Sequence, residues 1–269
     1  MLLELPSRTA LLLALRDMET GLRSVHVWTM LAWQEIRQRY RRSTLGPFWL
    51  TISTAAMVGG MGPLYGLIFG QDLSWYFPYL AIGFVVWQLM ASIINDSTQV
   101  FIGADQFIKQ IKTPFSIHVL RMVWRNAIIF AHNSVIVLLA LIFFLPAWKW
   151  TVLLSLFGLL AILVNGIWLG TLLGLLCARF RDIPPIVASL VQIAFFLTPV
   201  LWTQDQLGRY EFAAAINPLT HLLEVVRRPL LGEIPSAASW GVVAGITVIG
   251  FGVTLLLFAR YRWRIAYWL

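Results

Sequence analysis

Four arginines crowd one short stretch: Arg37, Arg39, Arg41 and Arg42. Their planar guanidinium forks donate paired hydrogen bonds, the geometry that suits phosphate and carboxylate oxygens. The run stops at Ser43. Gly46 and Pro47 follow, and no charge recurs before Asp72. Pro47 suits the first turn of a helix, where its missing N–H costs nothing. Gly46 frees the backbone to turn just before it. A basic surface segment therefore becomes an apolar helix within a few residues. At that depth the arginines have two uses. They can grip a phosphate-bearing ligand, or they can bind anionic lipid at about 1 kcal/mol each while setting orientation.

Other chemistry is sparse. The carboxylates Asp72, Asp96, Asp105, Asp182, Asp205, Glu211, Glu224 and Glu233 stand singly, and none is spaced from another for obvious acid/base work. His118 and His132 are isolated and read as packing residues, so no metal site is assigned. Cys177 is the sole cysteine, which excludes an intrachain disulfide.

Helices must hold the arginines in place. The chain has 269 residues, 59% hydrophobic and 12% charged; soluble domains carry about 25% charge. This is an integral membrane protein. Its net charge of +8 needs no nucleic acid, because Lys and Arg collect on the cytoplasmic side of membrane proteins. Charge-free gaps run over 43–71, 73–95, 126–148, 150–178, 183–204 and 234–259. Each exceeds the roughly 20 residues that cross about 30 Å of hydrocarbon. Of the 20 Lys and Arg, only Lys149, Arg209, Arg227 and Arg228 fall in outer segments, which places both termini in the cytoplasm. The start of the chain carries too many charges for a cleavable signal.

The expected fold is all-α and integral to the membrane. Six transmembrane helices follow an amphipathic interfacial helix, with short re-entrant helices between spans five and six. The divisions are a cytoplasmic N-terminal segment (1–46), a six-span membrane domain (47–259) and a cytoplasmic tail (260–269).

The interfacial helix is read over 22–42. Leu22, Val25, Trp28, Ala32, Ile36 and Tyr40 form its apolar stripe, and arginines lie largely elsewhere. Gly62, Gly66 and Gly70 in span one, and Gly166, Gly170 and Gly174 in span four, let helices approach closely. Packing within one subunit is the simpler use of both stripes. Span three begins beside Arg121 and Arg125, whose heads can snorkel to the interface. In the loop 96–118, Phe107, Ile108 and Ile111 share a face of a short helix. Asp105, Lys109 and Lys112 lie mostly on another, and Pro114 ends it. That apolar face needs a partner surface. Residues 203–237 read either as two short helices dipping into the membrane or as a cap on its outer surface. Asn217-Pro218 is a helix-start signal.

At these residues the chain resembles the transmembrane subunits of polysaccharide-exporting ABC transporters. The matching features are the basic run with Ser43, Leu45-Gly46 and Phe48-Trp49, then Arg181-Asp182, then Thr198-Pro199-Val200. Asn217-Pro218-Leu219 with Glu224 and Arg227 completes the order. Residues 1–21 have no counterpart in it. The resemblance implies two copies of this subunit with two copies of a separate nucleotide-binding ATPase. It also implies a bacterial cytoplasmic (inner) membrane and a lipid-linked polysaccharide as cargo. No G-x-x-x-x-G-K-[ST] loop occurs in the chain, so ATP and Mg are expected on the partner and no cofactor here.

Residue roles follow from the resemblance. Arg37, Arg39, Arg41 and Arg42 would receive the cargo's pyrophosphate. Tyr65, Phe69, Phe195 and Phe196 would line the channel. Asp105, Phe107, Ile108, Lys109, Ile111 and Lys112 would couple to the ATPase. Asn217, Pro218, Glu224 and Arg227 would form an outer gate. A permease for a smaller lipid or drug shares the fold. A membrane-embedded glycan-processing enzyme would want a dedicated carboxylate or a large outer loop. An ion-coupled carrier would place ionisable residues mid-membrane, and the six gaps are free of Asp, Glu, Lys and Arg.

Overall fold

The computed structural model describes residues 6–41, 46, 48–144 and 149–269, except for the side chains of Arg39, Tyr40, Leu207, Arg209, Tyr210, Glu211 and Ala213. Arg42, Ser43, Leu45 and Pro47 thus lie outside the described residues. Every regular element among those described is helical: α1 (Arg8–Arg23), α2 (Val25–Tyr40), α3 (Phe48–Ile68), α4 (Leu73–Gln99), α5 (Asp105–Gln110), α6 (Phe115–Phe144), α7 (Val152–Arg179), α8 (Ile183–Leu197), α9 (Glu211–Ile216), α10 (Pro218–Leu230), α11 (Ala237–Tyr261) and α12 (Ile265–Trp268).

Among the described residues, four helical stretches are long and apolar enough to cross a membrane: α4, α6, α7 and the run from Ala237 to Trp268. α3 has 21 residues, about 31 Å at 1.5 Å each, but its apolar run is diluted by glycine, serine and threonine. α8 has 15 residues, about 22 Å, and stops well before the expected Gln204. The cause is local. A residue before proline is pushed out of the helical region, and Thr198, before Pro199, is extended with ψ 138°.

α4 forms the centre, with α6, α7 and α10 around it. Leu80, Ala81 and Ile82 on α4 are fully buried, as is Leu223 on α10. The glycines of α7 set its approach to these neighbours. A Cβ on Gly170 would meet Met122 and Val119 of α6, and one on Gly174 would meet Val100 and Phe101 beyond α4. The α7 stripe is therefore spent inside the subunit. Gly158, also on α7, meets backbone instead of a side chain: the added Cβ would lie 2.4 Å from the Val225 carbonyl oxygen on α10. Backbone cannot swing aside as a side chain does. Gly158→Ala is expected to destabilise the protein by about 1–3 kcal/mol, the usual cost of overpacking. Thermal unfolding in detergent measures this, and an unchanged midpoint would mean α10 can back away freely.

The N-terminal region differs from the expectation of one interfacial helix over 22–42. The helix breaks at Ser24, whose ψ of 45° leaves the helical region. The Ser24 hydroxyl donates to Thr20 O at 2.7 Å, competing with the backbone ladder. In α2, Ala32 and Ile36 are buried, and the Trp28 ring meets Trp124 of α6 edge to face at 5.7 Å. The stretch of the stripe from Trp28 to Ile36 thus faces protein, while Leu22 and Val25 of the expected stripe are exposed, as are Met30 and Trp33.

Helix α6 starts at Phe115, just after Pro114, well before the expected Asn126. Arg121 and Arg125 therefore sit inside a helix and are paired with carboxylates instead of snorkelling. Glu35 of α2 lies 3.1 Å from Arg121 Nε and also pairs with Arg125. Arg125 Nη2 reaches Asp96 of α4 at 2.7 Å, and Asn126 donates to the same carboxylate at 2.9 Å.

Residues 8–23 and 260–269 close on one another. Asp17 of α1 is buried. Its carboxylate accepts from the N–H groups of Phe115 (3.2 Å) and Ser116 (3.0 Å) and pairs with Arg262 at 2.8 Å. One α1 carboxylate thus neutralises the first N–H groups of α6 and tethers the chain's last turns. At the opposite end Asp72 caps α4. The Ser74 hydroxyl and N–H hold its carboxyl below the usual range.

Candidate functional site

The site is built on α10, where local signals and distant partners coincide. Asn217 caps the helix, its side-chain oxygen accepting from Leu219 N–H at 3.0 Å, and Pro218 takes the first position. The Asn217 amide also donates to Thr198 Oγ1 at 3.0 Å, which ties the start of α10 to the end of α8.

Two turns on, Glu224 and Arg227 are almost wholly buried and paired with each other. Arg228 donates to the same carboxylate from its Nε at 2.6 Å. Arg227 Nη1 donates to Pro199 O at 2.6 Å. Its guanidinium carbon sits 3.9 Å above the ring of Tyr79, close enough for a desolvated cation–π contact. Tyr79 donates to Trp202 O at 2.9 Å, and Tyr76 donates to Leu201 O at 2.6 Å. The non-helical segment 198–203 is thereby held by side chains from α4 on one side and α10 on the other. Its carbonyls would otherwise be unpaired, and burying an unpaired polar group costs more than the bond is worth when made.

Three of the expected channel aromatics gather at the same place. Tyr65, Phe69 and Phe195 pack round the buried Tyr76, Tyr79, Leu80 and Leu201. Tyr65 and Phe69 lie 5.7 Å apart, and Phe69 meets Tyr76 edge to face at 6.4 Å. Phe195 contacts Phe84 and Trp87, while Phe196 points outward and is largely exposed. Sequence reasoning missed Tyr76 and Tyr79. The cluster Trp75-Tyr76-Phe77-Pro78-Tyr79 looks like an interfacial aromatic belt, and only the partners reached by the two hydroxyls separate it from one.

Other predicted residues sit apart from this cluster. Arg37 on α2 and Arg41 at its C-terminal cap are exposed and, with Gln34 and Gln38, line a depression of 320 Å³. Arg42 and the side chain of Arg39 lie outside the described residues. On α5, Phe107 is exposed, as is Ile111 just beyond the helix, while Ile108 turns inward against the core. Lys109 pairs with Asp105 at 2.8 Å, and Lys112 is exposed. The expected three-residue face is split: one member anchors the loop and two face outward.

The profile of the ABC-2 type transporter family matches residues 26–231. That stretch holds α2 through α10, and so every feature above except α1 and the last helices. The chain belongs to the ABC-2 type transporter family. As an ABC-2 type protein it is a multi-pass transport subunit of the membrane, not an enzyme. The chain is similar to two O-antigen export system permease proteins RfbA of Klebsiella pneumoniae. One is 22% identical over 242 residues, covering 87% of this chain and 91% of the relative. The other is 24% identical over 195 residues, covering 71% and 74%. A Myxococcus xanthus protein of the same name is 24% identical over 198 residues, covering 72% and 75%.

Proposed function

We propose that this ABC-2 type subunit is the permease half of an ATP-driven exporter of a lipid-linked, O-antigen-like polysaccharide. The near end-to-end match to a protein named as an O-antigen export permease carries the reading. Two copies form the channel in a bacterial cytoplasmic membrane, with both termini inside. Two copies of an ATPase subunit bind ATP and Mg. α3, α4, α6, α7, α8 and α11 make six crossings. The short α8 is completed by segment 198–203, and α9 and α10 dip in from outside. Burial of α10 against α4, α7 and α11 supports a re-entrant position, because backbone at membrane depth must be covered by protein.

Within that frame each cluster has a task. Arg37 and Arg41, with Arg39 and Arg42 of the same run, receive the cargo's pyrophosphate at the inner headgroups. Tyr65, Phe69, Phe195 and Phe196 offer ring faces to passing sugars. Asp105, Phe107, Ile108, Lys109, Ile111 and Lys112 belong to the loop that docks the ATPase. Asn217, Pro218, Glu224 and Arg227 gate the outer end.

Removing the chain from its host is expected to strip polysaccharide from the cell surface and to accumulate the lipid-linked form inside. Normal surface polysaccharide would overturn the reading. Replacing Arg37 and Arg41 together by lysine keeps the charge and removes the fork. If the forks grip pyrophosphate, export is expected to fall about tenfold, the effect of roughly 1.4 kcal/mol of lost charge-assisted bonding. Insertion and ATPase binding should stay normal. Unchanged export would reduce the pair to a membrane anchor.

A further inference from the structure

A cleft of 240 Å³ opens between α3, α4 and α6, away from both the arginine run and the Arg227 cluster. No charged residue lines it. It begins at Leu50 in the first turn of α3, and Asn126 in its lining donates to Asp96. Gln88 and Asn133 stand eight residues along their helices from Asp96 and Arg125, about 12 Å deeper than that ion pair. At that depth polar groups are costly unless something satisfies them.

Protein supplies part of what they need. The Gln88 side-chain oxygen accepts from Thr54 and from Asn133, each at 3.2 Å. Three polar atoms are left over. The Gln88 amide nitrogen, the Ser92 hydroxyl and the Asn126 amide oxygen make no hydrogen bond among the described residues, and none is sealed off from the cleft. They add up to donors and acceptors together, with no net charge. Asn126, Asn133 and Thr54 are each nine-tenths or more buried, so the polar wall is rigid. Phe130 also lines the cleft, on the same face of α6 as Asn126 and Asn133.

The geometry points to a binding site for a neutral vicinal diol, such as a sugar ring or a glycerol headgroup. A hydroxyl both donates and accepts, which matches an amide nitrogen, a hydroxyl and an amide oxygen lining one cleft. An anion finds no cation there, and a cation no carboxylate. The aromatic ring suits the C–H face of a sugar. The volume corresponds to about eight waters at 30 Å³ each and lies below the roughly 300 Å³ where drug-sized pockets begin. One small ring fits. The site does not depend on the export reading, since it belongs to a single copy of the chain without ATPase.

The test uses the purified full chain in nanodiscs of phosphatidylcholine, whose glycerol has no free diol. The probe is radiolabelled octyl glucoside below its micelle concentration, with octanol as the control of equal chain length. Saturable glucoside binding is expected, with octanol showing none. Gln88→Met removes the free donor and should weaken glucoside binding at least tenfold. Ser92→Leu fills the cleft without breaking a bond the protein makes, so it remains informative if the Gln88 variant fails to fold. It should weaken binding by a similar factor. Glucoside binding no better than octanol, or binding unchanged in Ser92→Leu, would overturn the proposal. Competition by 1-octanoylglycerol would assign the site to glycerol headgroups, and failure to compete would assign it to a sugar ring.

Discussion

Arg227→Met is expected to lower the stability of the folded protein by about 3 kcal/mol, the lower end of the cost of breaking a buried ion pair. The lower end applies because Glu224 keeps Arg228, whose Nε lies 2.6 Å from it. Methionine fills much of the volume but donates nothing to Pro199 O and cannot sit as a cation over Tyr79. Segment 198–203 then loses its tie to the middle of α10 and keeps only the Asn217–Thr198 bond at the start of that helix, and export should fall with stability. Tyr79→Phe separates the two effects. It keeps the ring beneath the guanidinium and removes only the hydroxyl that donates to Trp202 O at 2.9 Å. Its expected cost is about 1 kcal/mol, that of a single hydrogen bond. Thermal unfolding of the purified proteins measures both. Equal midpoints for wild type and Arg227→Met would show that the cluster does not hold the segment.

Replacing Phe107 and Ile111 by aspartate is expected to release the ATPase while the permease still folds. Both side chains are about half exposed, at 49% and 52%, so folding does not depend on burying them. A partner that buries the exposed half of each gains about 0.7–1.5 kcal/mol per side chain, half the figure for full burial, and aspartate forfeits that gain. Co-purified ATPase should fall at least about tenfold, with the unfolding temperature nearly unchanged. Ile108→Asp is the contrast. Ile108 packs inward against the cluster around Phe101 and Phe115, so a charge there should lower stability itself. A double aspartate variant that keeps its ATPase would remove α5 from the docking surface.

Sequence alone determined the membrane class, because an apolar composition with long charge-free gaps has no soluble solution. It also located α4, α7 and α11 to within a few residues, and the start of α10 at Asn217-Pro218. These features are local: a cap, a proline or an uninterrupted apolar run acts on its own neighbours. The apolar run misplaces the end of α8 at Gln204, although Thr198-Pro199 carries the local signal that stops the helix at Leu197.

The rest depended on partners far away in the chain. Nothing near Asp17 indicates that it will meet Ser116 and Arg262. Arg121 and Arg125 look like a headgroup flank until Glu35 and Asp96 are brought beside them. Tyr76 finds its acceptor 125 residues away. A buried charge or hydroxyl is tolerated only where packing supplies its counterpart, and packing is a property of the folded helices together. Tertiary structure therefore decided which of the scattered polar residues became a cluster, and it placed the unused ones around a cleft that no motif marks.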